Sequence, residues 1–164
     1  MPVGKRLRHA LNDTPADQAW SDDHPLPEGV SIRPTTLDDL LGVEHVLEPM
    51  VKARRLLPRT HEELAKLLPT GFVAMVGDDI IGFAAVEIYS KKLAEIQALG
   101  VTLPWRGRGL GKKLVLECVQ LARDHGIYEL MAITASESLF VDCGFHYSLP
   151  DQKKALFIQL YDKH

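Results

Sequence analysis

Arg106-Gly107-Arg108-Gly109-Leu110-Gly111 lies between an apolar strand pattern at residues 94–101 and a long amphipathic helix pattern at residues 112–125. Three glycines and two arginines at such a junction describe an anion cradle. Glycine permits positive φ and lets a ligand approach the backbone closely. The first amides of the helix that follows have no intrahelical partners, so they point outward with the positive end of the helix dipole behind them. Arg106 and Arg108 add full charges where a pyrophosphate would lie. The pattern asks for a phosphorylated cofactor.

Composition narrows the partners. The chain has 164 residues, 46% of them hydrophobic, enough for one globular domain with a substantial core. A net charge of −3 and a pI near 6.1 argue against a nucleic-acid partner. Positive charge is local, around 106–113 and 54–59, which suits small anionic ligands. Cys118 and Cys143 form no disulfide framework and match no zinc spacing, and a reduced cytoplasmic setting is expected. The seven histidines show no ligand spacing, so no metal is expected. No apolar run reaches membrane-spanning length, and Lys5-Arg6-Leu7-Arg8 is followed by no hydrophobic stretch, which argues against a membrane partner and a signal peptide.

Working outward from the cradle, the pattern of apolar residues predicts the elements. Residues 1–28 carry Pro2, Pro15, Pro25 and Pro27 without an apolar period, predicting a flexible extension with Trp20 as its docking residue. Residues 29–164 then form the domain. A strand opens at Val30-Ser31-Ile32-Arg33. Thr36 caps a helix to about residue 48, with Leu37, Leu40, Leu41, Val43 and Val46 as its apolar side. Pro58 interrupts the chain, and Thr60-His61-Glu62-Glu63 is a capping box opening a short helix. Strands at 72–76 and 80–89 flank a Gly77-Asp78-Asp79 hairpin, and a third covers 93–101. The helix from Leu110 buries Leu114, Val115, Cys118, Leu121 and Ala122 and stops at Gly126. A strand at 128–134, a short helix at 136–142 and a last strand at 155–161 complete the pattern.

Other phosphate-binding motifs fit poorly. A Walker loop needs glycine where this chain has Arg106, and Ser or Thr where it has Lys113. A dinucleotide fingerprint needs its first glycine at the strand end, but Pro104-Trp105-Arg106 intervene, and the last glycine interval differs.

The stretch Val101-Thr102-Leu103-Pro104-Trp105-Arg106-Gly107-Arg108-Gly109-Leu110-Gly111 resembles the acetyl-CoA site of the GNAT superfamily of N-acetyltransferases. That superfamily's Gln/Arg-x-x-Gly-x-Gly/Ala pattern is met by Arg106, Gly109 and Gly111, and Ser138 to Phe145 is similar to its helix-plus-Gly-Phe ending. The resemblance spans residues 30–161. It implies an α+β GNAT fold, with a mixed, mostly antiparallel sheet of about six or seven strands flanked by about four helices. The sheet would splay at the cofactor site. Acetyl-CoA would be held by Leu99, Gly100, Val101, Arg106, Gly107, Arg108, Gly109, Leu110, Gly111 and Phe140.

A narrower resemblance runs through Arg55-Leu56-Leu57-Pro58-Arg59-Thr60, Gly82-Phe83-Ala84-Ala85-Val86, Leu93-Ala94-Glu95-Ile96 and Leu149-Pro150 to Phe157. These are similar to the acetyltransferase domain of bacterial N-acetylglutamate synthase, of arginine biosynthesis. That family acetylates the α-amine of L-glutamate, and many members carry an amino-acid-kinase-like domain. This chain would be a stand-alone acetyltransferase domain. The acceptor would be a small acidic amino acid, gripped by Arg55, Arg59 and Lys153 or Lys154, since arginine holds a carboxylate through two parallel hydrogen bonds. The chain departs from some members in having Gln159-Leu160-Tyr161 where they have an arginine. Acetylation of another amine, in a metabolite, a peptide N-terminus or a lysine, stays open. So do a non-catalytic acetyl-CoA-binding module and a homodimer.

The resemblance also implies chemistry. A backbone amide at Leu99 would hold the thioester oxygen, worth about 3–4 kcal/mol for one aimed donor. Glu95 would be the general base, with Glu87 as substitute. Four residues along an extended strand is about 13 Å, so Glu95 would act through water. Many members have a tyrosine acid where this chain has Phe140, which would pack beside the sulfur. Releasing a thiolate of pKa about 8.5 at pH 7 costs roughly 2 kcal/mol, which the reaction can bear. Tyr147 or Tyr161 is the alternative proton source, and Cys143 lies close enough to the cofactor in sequence to be considered reactive.

Overall fold

The computed structural model describes residues 24–134, 136–147, 158 and 160. Its centre is a five-stranded sheet in the order β1 (Val30–Pro34), β2 (Gly71–Val76), β3 (Asp79–Ile88), β4 (Leu93–Val101) and β5 (Glu129–Met131). The first four strands are antiparallel neighbours, and β5 joins β4 in parallel. The architecture is the mixed α+β GNAT fold. Five strands are described in place of six or seven, and the expected last strand at 155–161 lies outside the described residues.

Four helices cover the sheet: α1 (Leu40–Lys52), α2 (His61–Leu67), α3 (Leu110–Asp124) and α4 (Glu137–Asp142). They divide between its two faces. Val43, Leu47, Leu64 and Leu67 of α1 and α2 pack with Val73, Phe83 and Ala85. Leu110, Leu114, Val115 and Cys118 of α3, with Phe140 of α4, pack with Phe72, Ala74, Ala84 and Val86. Strands covered on both faces bury successive residues, so β2 and β3 read as almost unbroken apolar runs.

The helix expected to start beyond Thr36 begins as a 3-10 turn, Leu37–Asp39, before α1 proper. Its buried stripe is Val43, Val46, Leu47 and Met50, whereas Leu37 and Leu41 are 70% and 71% exposed. The tight turn shifts the helical phase, and this corrects their assignment to the core. Asp39 anchors the turn by accepting two 2.8 Å bonds from Arg33 and one of 2.8 Å from the Thr36 amide. The Thr60 box forms as expected, the Thr60 hydroxyl accepting from the Glu63 amide and the Glu63 carboxylate from the Thr60 amide.

Candidate active site

β4 decides the site. Its pairing with β3 runs Ala85↔Gln97, then Phe83↔Gly100, so Ala98 and Leu99 together face Ala84. Ala98 carries φ 57°, a left-handed conformation that strains a residue with a Cβ. This bulge sets the phase of the strand. Gln97 and Ala98 lie toward α1 and α2, while Ile96, Leu99 and Val101 border the α3 side. On its other edge β4 pairs with β5 from Leu93↔Glu129 only as far as Glu95↔Met131. The strand expected over 128–134 is confined to Glu129–Met131, and beyond it the two chains diverge.

A cleft of about 760 Å³ fills this divergence. Ile96, Ala98, Leu99 and Val101 form one wall, and Ile133, Thr134, Ser136, Ser138, Leu139 and Phe140 the other. Trp105, Arg106, Gly107, Gly109, Leu110, Gly111 and Lys112 close one end. Met50, Arg55 and Leu56 stand at the end toward α1. Beyond Glu95 the β4 edge has no strand partner among the described residues, so its peptide groups suit an extended amide-bearing arm.

At the cradle, Gly109 is the N-cap of α3 with φ 84°, where a side chain would be strained. The amides that begin α3 face the cleft end. Gly111 meets a different demand: an added Cβ would come within 2.9 Å of Leu139 Cδ1, so its smallness lets α4 close against α3. Phe140, 6% exposed, packs edge-on against Phe145 at 5.3 Å between ring centres. The fit to a long phosphorylated thioester is therefore one of shape, open strand edge and helix amides together.

The structure brings most of the expected cofactor residues to this cleft: Leu99, Val101, Arg106, Gly107, Gly109, Leu110, Gly111 and Phe140 all line it. Two do not. Gly100 is turned toward α1, where an added Cβ would lie 2.7 Å from Met50 Sδ. Arg108 stacks over the Trp105 ring, 4.7 Å from its centroid. Arg106 lines the cleft with its charge while its Nε donates to the Val101 carbonyl at 2.9 Å and ties the cradle to the strand end.

Arg55 lines the cleft, whereas Arg59 lies behind it, half-buried, donating to the Gln97 side-chain oxygen and to the Leu57 carbonyl at 3.2 Å. Burial pushes the Arg59 guanidinium down, and Glu87, Glu63 and Glu95 push it back. Glu95 is outside the cleft lining. Its carboxylate accepts from the Tyr89 hydroxyl at 2.6 Å, and Glu87 sits directly opposite on β3. Hydrogen bonding to Glu95, with burial and the two carboxylates, pushes the Tyr89 phenol up to about 12.

Other expectations are corrected. Tyr147 is 75% exposed and donates to Glu137 at 2.6 Å, away from the cleft lining. Cys143 is fully buried, its Sγ 3.8 Å from the Lys112 carbonyl, so it belongs to the packing of α4 on α3. Burial pushes the Cys118 thiol up, in keeping with a core residue. Leu121 is only partly buried. Lys153, Lys154, Tyr161, Trp20 and the stretch 149–157 lie outside the described residues. Sequence reasoning missed the hydroxyl-bearing wall of Thr134, Ser136 and Ser138, whose signal was three short polar side chains just beyond a parallel strand. It also missed Tyr89 and Gln97.

The acetyltransferase (GNAT) family matches residues 38–146, and the chain belongs to it. An uncharacterized N-acetyltransferase of Chlorobaculum tepidum is 27% identical over 114 residues, covering 70% of this chain and 74% of that protein. The amino-acid acetyltransferase of Ralstonia nicotianae is 29% identical over 132 residues, covering 77% of this chain but only 29% of that protein. Among solved structures, N-acetylglutamate synthase from Neisseria gonorrhoeae, complexed with coenzyme A and N-acetyl-glutamate, superposes with a TM-score of 0.68 at 25% identity. That match covers 76% of this chain and 30% of the synthase. The chain is thus an acetyl-CoA-dependent N-acetyltransferase, and it spans less than a third of the length of the Ralstonia nicotianae and Neisseria gonorrhoeae proteins.

Proposed function

We propose that the acceptor is an acidic amino acid, L-glutamate first, acetylated on its α-amine by a catalytic domain spanning residues 29–164. The observation that carries this reading is Arg55, a guanidinium lining the same cleft as the cradle. A planar donor there suits a carboxylate better than it suits a cationic amine. Arg59 lies outside the cleft lining and is bonded to Gln97, so it adds positive charge without lining the cleft. The likeness to the amino-acid acetyltransferase of Ralstonia nicotianae and to the Neisseria gonorrhoeae synthase holding N-acetyl-glutamate supports the same acceptor class.

In this reading the amides at the start of α3 hold the diphosphate and the open β4 edge pairs with the pantetheine arm. The Leu99 amide, beside the bulge, donates to the thioester oxygen as charge develops there. Glu95 takes the amine proton through water, with Glu87 as its substitute, and the amine attacks the carbonyl carbon. The thiolate departs beside Phe140 without a side-chain acid, at the modest cost set by its own acidity.

A second reading has its own observation. Glu87 and Glu95 stand together on the α1 and α2 side of the sheet and would attract a cationic amine. Thiol release from acetyl-CoA, followed across amino acids, polyamines and lysine peptides, separates the two. L-Glutamate is expected to give the highest kcat/KM. Turnover confined to polyamines or lysines would reject the acidic acceptor.

A further inference from the structure

Glu87 and Glu95 are directly opposed on neighbouring antiparallel strands. Like charges so placed repel, so each needs its own donor. Tyr89, just past the end of β3, turns its hydroxyl back over this pair, 2.6 Å from Glu95 Oε2 and 3.3 Å from Glu87 Oε2. A phenol has one proton to give. The shorter contact assigns it to Glu95.

Gln97 supplies the other donor. Its Nε2 lies 3.0 Å from Glu87 Oε2 and 3.4 Å from the Tyr89 oxygen. Amide oxygen and nitrogen can exchange places by a flip, so something must choose the orientation. Arg59 does so, because a guanidinium only donates and therefore requires the Gln97 oxygen on its side. The amide nitrogen is left facing Glu87. Glu63 of α2 is the further charge acting on Arg59, and Glu129 of β5 lies two residues before the Met131 that pairs with Glu95. The bonds thus run one way, from Arg59 through Gln97 to Glu87, and from Tyr89 to Glu95.

We propose that Tyr89 is a positioning residue for Glu95, and that the Arg59–Gln97 pair occupies Glu87 so that the Tyr89 hydroxyl is kept for the base. The inference rests on the reading of Glu95 as the proton acceptor, and it gives the two neighbouring carboxylates different tasks. Tyr89 is outside the cleft lining, and its shortest contact is to Glu95, so its effect on the reaction runs through that carboxylate.

The test is a double-mutant cycle of Tyr89→Phe and Glu95→Gln in the full chain, following thiol release at pH 9.5 with the best acceptor. At that pH the free amine is abundant enough to raise the residual rate of E95Q. The Tyr89 phenol, pushed up to about 12, still carries its proton. Tyr89 is half exposed, and the phenylalanine variant should fold, which its thermal midpoint checks. In the wild-type background Y89F is expected to lower kcat about fivefold to tenfold and leave the acetyl-CoA KM unchanged. In the E95Q background it should change nothing further. Equal losses in both backgrounds, or no loss in either, overturn the positioning role while leaving Glu95 as base. An E95Q enzyme as fast as wild type at pH 7, where the acceptor amine is protonated and needs a base, overturns the base reading and this inference with it.

Discussion

The two faces of β4 solve different problems with different parts of the chain. Toward α3 and α4 the site is built from backbone: the helix amides behind Gly109, the strand edge from Ile96 that has no strand partner among the described residues, and the turn held by Arg106 on Val101. Toward α1 and α2 it is built from side chains: Arg55 on the cleft wall and, outside the lining, the hydrogen-bonded group of Arg59, Gln97, Glu87, Tyr89 and Glu95. The bulge at Ala98 joins them by changing the phase of a single strand. A backbone grip tolerates most side-chain changes and fails where a side chain intrudes. A side-chain grip can be altered one residue at a time.

That contrast is tested most severely at the cradle. Gly109→Val forces a β-branched residue into φ 84° and should lower kcat/KM for acetyl-CoA about 10- to 100-fold, with the acceptor KM little changed. A variant that loses acceptor affinity instead would show that the two faces are not separable. Arg55→Ala should do the converse. The L-glutamate KM is expected to rise about tenfold, from loss of a charged hydrogen bond, while the acetyl-CoA KM stays put.

The smallest effect belongs to neither face. Asp39→Asn, at the turn before α1, should cost about 1–2 kcal/mol in urea unfolding and leave both KM values alone. The Arg33 guanidinium holds the Asp39 carboxyl below its ordinary value. Its contribution is therefore full above the ordinary carboxylate pKa of about 3.9 and fades as pH falls through the lower folded value. Unfolding midpoints at pH 7 and pH 3 should diverge less in the asparagine variant than in wild type.

Much of the cradle could be read in advance. Glycine and helix-start signals act over a few residues, so Gly107, Gly109, Gly111 and the start at Leu110 appear where the pattern placed them. The Thr60 box and the β4 boundaries are local in the same sense. Arg108 was misplaced because its partner, Trp105, competes for its guanidinium at short range in space. Leu37 and Leu41 were misplaced because a 3-10 turn alters the angular count on which a helical stripe depends. Tyr89 and Gln97 carried no motif. Their meaning comes from cross-strand register, which pairs Glu87 with Glu95 and folds Tyr89 back over both.

From the order of its residues alone the chain declares a GNAT cradle between strand and helix, because turn, cap and helix dipole are set by near neighbours. Only the folded sheet decides which side of β4 each side chain serves. One extra residue at Ala98 reverses the alternation of the strand, and β5 parts from β4 after Met131. Both depend on contacts between segments distant in sequence, so the acceptor side is a property of the tertiary structure.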